Sequence, residues 1–412
     1  MVHSPHLGGR GTARPAWTPP TTVRRRVLAS VLATAASSGL VTACFADAPD
    51  SQAPLSGVTA PSTPSSGTGE PSRSGDYSTL TGRAVHTTTR LADGSAMVAG
   101  GCVIDGCGIG SDEVFDLSAD GEVTPGPHLS TARAGHSALL LGDGSVFVVG
   151  GFTGEGEAPL ASSETRRPGE GWKASGDLRL PRGGNAAALL GDGRPIIVGG
   201  WLGSGRYTAT TEILDLSSGS FVAGPDLPEA ADGLAAVTLT DGSVLVTGGQ
   251  VRSQVATGMA VLISADGQRA TPLPPLREPR FKHSMVLLPS GEVLVIGGTS
   301  DDLERLTSTE VFDPESRTFR AGPRMVNGRY KLAGSAVALP DGRVVVGGGG
   351  MGIELLDVAA NSSDLIEAFG ESVSAFSTMT VLGADRILNL GGYGERIQLT
   401  RTFESVRITD LD

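Results

Sequence analysis

The chain has 412 residues, with 60 Gly and 25 Pro but only 18% charged and 4% aromatic residues. So much glycine among Val, Leu and Thr excludes a helical bundle, and a hydrophobic fraction of 39% excludes disorder throughout. The net charge is −12. Residues 1–43 hold five Arg and no acid, leaving 27 basic against 44 acidic residues in the remainder, which argues against nucleic acid as a partner.

Residues 1–43 read as an export signal. Arg24, Arg25 and Arg26 precede 17 uncharged residues, 27–43, which is short of the roughly 20 apolar residues a membrane span needs. The run ends in Val41-Thr42-Ala43-Cys44, which resembles the lipobox of bacterial lipoproteins. The resemblance implies cleavage before Cys44, a lipid on its sulfur, and a place on the outer face of the cell membrane. An ordinary signal peptide with an incidental Cys44 is the alternative. The Arg triplet fits either the general secretory or the twin-arginine route. Of the 31 residues 45–75, nineteen are Ser, Thr, Pro or Gly, a composition that reads as a flexible tether.

From residue 76 to 412 one unit repeats seven times. An apolar run closes on Gly-Gly at 100–101, 150–151, 199–200, 248–249, 297–298, 347–348 and 391–392. Each pair follows a strand–turn–strand pattern whose turns are Asp93-Gly94, Asp143-Gly144, Asp192-Gly193, Asp241-Gly242, Ser290-Gly291 and Asp341-Gly342. A third strand begins near Glu113, Glu164, Glu212, Glu310, Glu354 and Glu404, with Met259 at that place in the fourth unit, and a fourth strand follows. Four strands per roughly 49 residues, seven times, predict an all-β, seven-bladed β-propeller with four antiparallel strands per blade.

The leading Arg and His, the Gly-Gly, the third-strand Glu and the fourth-strand aromatic (Trp172, Phe221, Phe319) resemble the kelch repeat. Similar kelch propellers form the centre of galactose oxidase. The last unit shows three strands, at 376–382, Arg386–Leu390 and 398–408. The segment 77–81 is therefore expected to close the ring as the fourth strand of blade seven, removing an open sheet edge.

Beyond Cys44, two cysteines remain. Cys102 and Cys107 are expected to form a disulfide that stiffens a loop after the first Gly-Gly. The loops 102–111, 152–162, 201–210, 250–258 and 299–307 vary between units and fall on one face. Trp201 and Tyr207 there are candidate contacts for a sugar or a protein, with packing on the next blade the equal alternative for Trp201. Arg83, His86, Arg133, His136, Arg182, Arg280, His283 and Arg329 lead the first strands on the same face. They could hold an anion, or could tie neighbouring loops together as kelch residues of this kind do.

The copper chemistry of galactose oxidase needs a Cys–Tyr crosslink, a second Tyr and two His. Tyr77, Tyr207, Tyr330 and Tyr393 with His86, His128, His136 and His283 provide no dedicated set, so no metal and no cofactor is expected. Asp301, Asp302 and Glu304 could bind calcium but more simply face solvent. The sequence points to a monomeric, surface-anchored binding or scaffold protein that recognises a protein or glycan. The alternative is an enzyme acting on acidic sugars at an Arg/His-lined mouth.

Overall fold

The computed structural model describes residues 80–154, 158–366, 373–394, 398–400 and 403–411. The export segment, Cys44 and the tether lie outside the described residues, as do 77–79 of the expected closing strand. The chain is an all-β, seven-bladed β-propeller. Blade one comprises Thr87–Arg90, Ala96–Ala99, Val114–Leu117 and Val123–Pro125, paired antiparallel in chain order. Blades two to six repeat this arrangement, beginning at Ser137–Leu140, Ala186–Leu189, Ala235–Thr238, Ser284–Leu287 and Ala336–Ala338. Blade seven shows Thr378–Leu382, Arg386–Leu390 and Phe403–Arg407 among the described residues. The first strands stand side by side around the axis, and Thr87–Arg90 meets Thr378–Leu382 to complete the circle. Leu80 is buried at that seam with Leu382, Leu388 and Leu390.

The uninterrupted apolar runs have a simple cause. The second strand of each blade is sandwiched between two neighbouring blades, so both of its faces need apolar side chains. Ala96–Ala99, Val146–Val149, Val244–Thr247 and Val293–Ile296 are buried at every residue. Cores accordingly span blades: Ile196 and Val198 pack with Val244 and Val246, and Leu294 and Ile296 pack with Val344 and Val346. Each such Val, Leu or Ile contributes about 1.5–3 kcal/mol relative to exposure.

The hairpins between first and second strands are three-residue loops rather than the tightest two-residue kind. In blade one Gly94 N donates to Leu91 O and Leu91 N to Ser95 O, with Gly94 at φ +86. This is a type I turn followed by a left-handed residue. Asp93 accepts from Ser95 N and Ser95 Oγ, which holds its carboxyl below the usual range, and Asp143 and Asp241 do the same with Ser145 and Ser243.

Two rings of backbone hydrogen bonds join blade to blade. In the first, the second Gly of each pair donates to a carbonyl of the following blade: Gly101 to Arg133, Gly151 to Arg182, Gly200 to Ala231, Gly249 to Arg280, Gly298 to Arg329, Gly349 to Ser374 and Gly392 to Arg83. The last of these closes the circle. In blade six the working pair is thus Gly348-Gly349 rather than 347–348. Both residues have positive φ and Gly347 does not, so the sequence pattern was one residue out of register there. The second ring lies two residues further along: Gly135 N to Val85 O, Gly184 N to Gly135 O, Gly233 N to Gly184 O, Lys282 N to Gly233 O, Leu332 N to Lys282 O, Phe376 N to Lys331 O and Val85 N to Phe376 O.

Candidate functional site

The five arginines do not face the mouth of the propeller. Arg83, Arg133, Arg182, Arg280 and Arg329 are the largest fully buried side chains among the described residues. Each points into its own blade and donates to the first glycine's carbonyl, as from Arg133 to Gly150 O at 2.9 Å and from Arg182 to Gly199 O at 3.0 Å. Each also pairs with a glutamate: Arg133–Glu164 at 2.9 Å, Arg182–Glu212 at 2.6 Å, Arg280–Glu310 at 3.1 Å, Arg329–Glu354 at 2.8 Å and Arg83–Glu113 at 2.7 Å. Glu164, Glu212, Glu310 and Glu354 each also accept two backbone amides from the segment entering the blade; for Glu164 these are Ser130 N and Thr131 N. Burial draws each guanidinium pKa down while its glutamate pushes it up. These residues hold the blade's own loop in place, and nothing of their charge is left to present to a ligand.

Strand register corrects two sequence assignments. The third-strand glutamate pairs with the residue two before Gly-Gly, as Glu164 does with Val148 and Glu212 with Ile197. In blade one that place belongs to Phe115, opposite Val98. Glu113 reaches Arg83 from two residues earlier, and Arg83 also lies over the Phe115 ring at 4.8 Å. In blade four the glutamate place belongs to Val261, opposite Val246, not to Met259. The arginine place there is Ala231, whose carbonyl takes the bond from Gly200. Blade four has therefore exchanged its whole ion pair for Ala231, Met259 and Val261, which share one buried cluster. Asp232 stands one position further, where other blades have Ala84, Ala134, Gly183, Phe281, Tyr330 and Ala375.

His86, His136 and His283 are buried, each against the preceding blade's first glycine; a Cβ on Gly391, Gly100 or Gly248 would meet the corresponding imidazole Cε1 at 3.0, 2.9 or 2.6 Å. Asn185 takes the equivalent place in blade three. Each Nε2 is bonded to a threonine hydroxyl: His86 to Thr378, His136 to Thr87 and His283 to Thr247. Burial, with the nearby arginine adding to it, brings His136 and His283 down to about 3, and His86 moves the same way for the same causes. In the unfolded chain these groups bind protons below about pH 6.5, whereas in the fold they refuse them until about pH 3. Their contribution is thus present above pH 6.5 and lost as pH falls through that window. Asp232 opposes this: burial raises it to about 7, so its effect weakens the fold as pH rises from about 4 to 7. Acidification to about pH 4 is expected to cost roughly 3 kcal/mol for each of His136 and His283. His283→Asn, which copies blade three, should flatten the pH dependence of the denaturant midpoint by one histidine's share. An unchanged slope would mean that this imidazole is not held neutral.

The first strands enclose a cavity of about 320 Å³ on the axis. Its collar is the second backbone ring, whose side chains differ around the circle. Gly135, Gly184 and Gly233 leave blades two to four bare, while Val85, Lys282 and Phe376 project from the remaining arc. Asp232, Asn185, His86, His136 and His283 line the cavity below the collar. Lys331 is drawn out of the opening: it donates to Tyr393 Oη at 2.8 Å and lies 4.8–5.6 Å from the rings of Tyr330, Tyr393 and Phe376. Among the described residues no group of three or more His, Cys, Asp or Glu could hold a metal ion. Asp301 is occupied as the acceptor for Ala256 N.

Residues 287–326 match the kelch motif. No curated protein sequence matches the chain. The matched kelch segment spans most of blade five and contains Gly297-Gly298, Glu310 and Phe319. Because the same glycine pairs and buried Arg–Glu pairs recur around the ring, the match and the seven blades together support a propeller of kelch repeats.

The remaining described site residues lie on the loop face of the propeller. Trp201 is buried, bridged to Gly183 and Tyr207, so it packs rather than stands as an exposed anchor; Tyr207 is half-buried beside it. Cys102 and Cys107 form the expected disulfide, with Cα atoms 4.9 Å apart. Their loop reaches both neighbours: Asp105 accepts from Leu399 N of blade seven, and Gly110 N donates to Thr153 O of blade two. Lys282 and the cavity-facing place of Asp232 escaped sequence reasoning. The available signal was a one-residue offset, since Arg83-x-x-His86 aligns with Ala231-x-x-Leu234 and leaves Asp232 outside the repeat pattern.

Proposed function

We propose that the chain is a surface-anchored recognition protein that binds a protein partner through the loop face of the propeller. The kelch propeller fold fits a protein-binding or scaffold role. The observation that carries the narrower reading is the placement of apolar surface. Of eight exposed large hydrophobic side chains among the described residues, Ile104, Ile109, Leu180, Val326 and Met351 lie in connections on this one face. Exposed aliphatic groups on a rigid rim suit a protein contact better than a glycan, which stacks on aromatic rings. The acidic-sugar alternative loses its support, because the arginines it needed are internal. Anchoring rests on the 41–44 motif.

Two measurements test this reading. Cys44→Ser should move the protein from the membrane fraction to the soluble fraction; unchanged partitioning would remove the lipid anchor. Ile104→Asp with Ile109→Asp should abolish co-purification of a surface partner crosslinked to the wild-type chain while leaving the melting temperature unchanged. Retention of the partner would place the contact elsewhere.

A further inference from the structure

We infer that the axial cavity binds a small zwitterion, an α-amino acid being the simplest, with its ammonium on Asp232 and its carboxylate on Lys282. The site is separate from the loop rim and stands whether or not the rim binds a protein. Asp232 breaks the seven-fold pattern in favour of charge, since the equivalent residues in the other six blades carry none. It lines the cavity, is almost fully buried, and its Oδ1 has no hydrogen-bond partner, although Gln250 holds the carboxylate in place. An unpaired buried acceptor is costly unless something else occupies it. Lys282 lines the same cavity from the next blade. Its ammonium makes no hydrogen bond or ion pair with a described residue and rests only over the Phe281 ring at 5.5 Å. The two charges feel each other without reaching ion-pair distance.

There is room beside the carboxylate. A Cβ placed on Gly184 would have a single atom within 4 Å, Asp232 Oδ2 at 3.6 Å, so the collar is open directly beside the carboxylate. A simple anion would satisfy Lys282 and crowd Asp232, and a simple cation would do the reverse. A ligand carrying both charges complements both residues and leaves no net charge buried. The cavity histidines are held neutral and bring no charge to either end. Ala187, Ala235, Ala236 and Met285 offer an apolar wall for the ligand's side chain.

The test is isothermal titration of the full chain in detergent with the proteinogenic α-amino acids, each compared with its decarboxylated amine and its deaminated acid. At least one amino acid should bind, and its two monofunctional relatives should bind far more weakly. Asp232→Asn and Lys282→Met should each weaken binding by about thirtyfold or more, and Lys282→Arg should restore part of it. Melting curves of the free variants verify that they fold, and Asp232→Asn preserves the shape of the side chain it replaces. Absence of binding by every amino acid overturns the proposal. So does equal binding of an acid or an amine, and so does binding indifferent to both substitutions.

Discussion

Arg182→Ala should destabilise the propeller by about 3–5 kcal/mol, because it leaves Glu212 charged in a buried site without its cation. The carboxylate would keep Arg179 N and Leu180 N, but Gly199 O, Thr210 O and Leu180 O would each lose a donor. Glu212→Val should cost a similar amount, since it strands a guanidinium whose side chain is 0% exposed. The two losses should not add. Blade four already carries Ala231 and Val261 at these places, with Met259 where blade three has Thr210, and all three are buried in one cluster. Arg182→Ala with Glu212→Val removes both charges together, and a double-mutant cycle should return a coupling of about 2–3 kcal/mol. Adding Thr210→Met supplies the volume blade four uses and should recover most of the rest. Thermal melts decide it: each single variant should fall by roughly 4–7 °C, and the triple variant by far less. Additive losses would mean that the pair does not act as a unit and that blade four is stabilised by something else.

The same blade shows what the sequence could and could not carry. Gly-Gly spacing, apolar second strands and Asp-Gly turns are local signals, and they made the seven-bladed ring, its strand order and its hairpins legible. Their physical causes are also local: crowding near the axis, burial between neighbours and a left-handed turn residue. Register is not local. Whether Met259 or Val261 replaces the glutamate depends on which residue lies across from Val246, and that is set by pairing with the second strand. Blade six failed for the same reason, since four consecutive glycines leave the working pair undefined until Ser374 O selects Gly349 N.

The candidate site was harder to read because direction matters more there than position. Arg and His at the head of a first strand are placed near the mouth by sequence, but the arginine turns inward to the first glycine's carbonyl and the histidine lies over the preceding blade. The residue between them, at positive φ, is the one that reaches the opening. That role falls to Val85, Lys282 and Phe376, and in three blades to glycine. A positive φ at Val, Lys or Phe carries no signature in a single sequence. The cavity-facing place of Asp232 was hidden because the fourth repeat lacks the arginine that would have fixed its alignment.

Gly391→Ala and Gly193→Ala make the same chemical change at two left-handed glycines, φ +62 and φ +84, and should differ sharply in effect. Each pays about 1–2 kcal/mol for placing an alanine in that conformation. At Gly193, in a hairpin turn, nothing lies within 4 Å of the added Cβ, so the backbone term is the whole cost. At Gly391 the Cβ would collide with Arg83 O and come within 3.0 Å of His86 Cε1. Relief requires moving that carbonyl, which accepts the Gly392 N–H at 2.8 Å and joins blade seven to blade one. Losing this bond and leaving a buried carbonyl unpaired adds about 1–3 kcal/mol, and the new methyl crowds the His86 ring and so disturbs its bond to Thr378 as well. Chemical denaturation should therefore rank Gly391→Ala well below Gly193→Ala, by about 2 kcal/mol or more. Hydrogen exchange should locate the excess opening at Gly392 and at the strands Thr87–Arg90 and Thr378–Leu382, which meet at the seam. Equal destabilisation of the two variants would show that the ring is not held shut at this carbonyl.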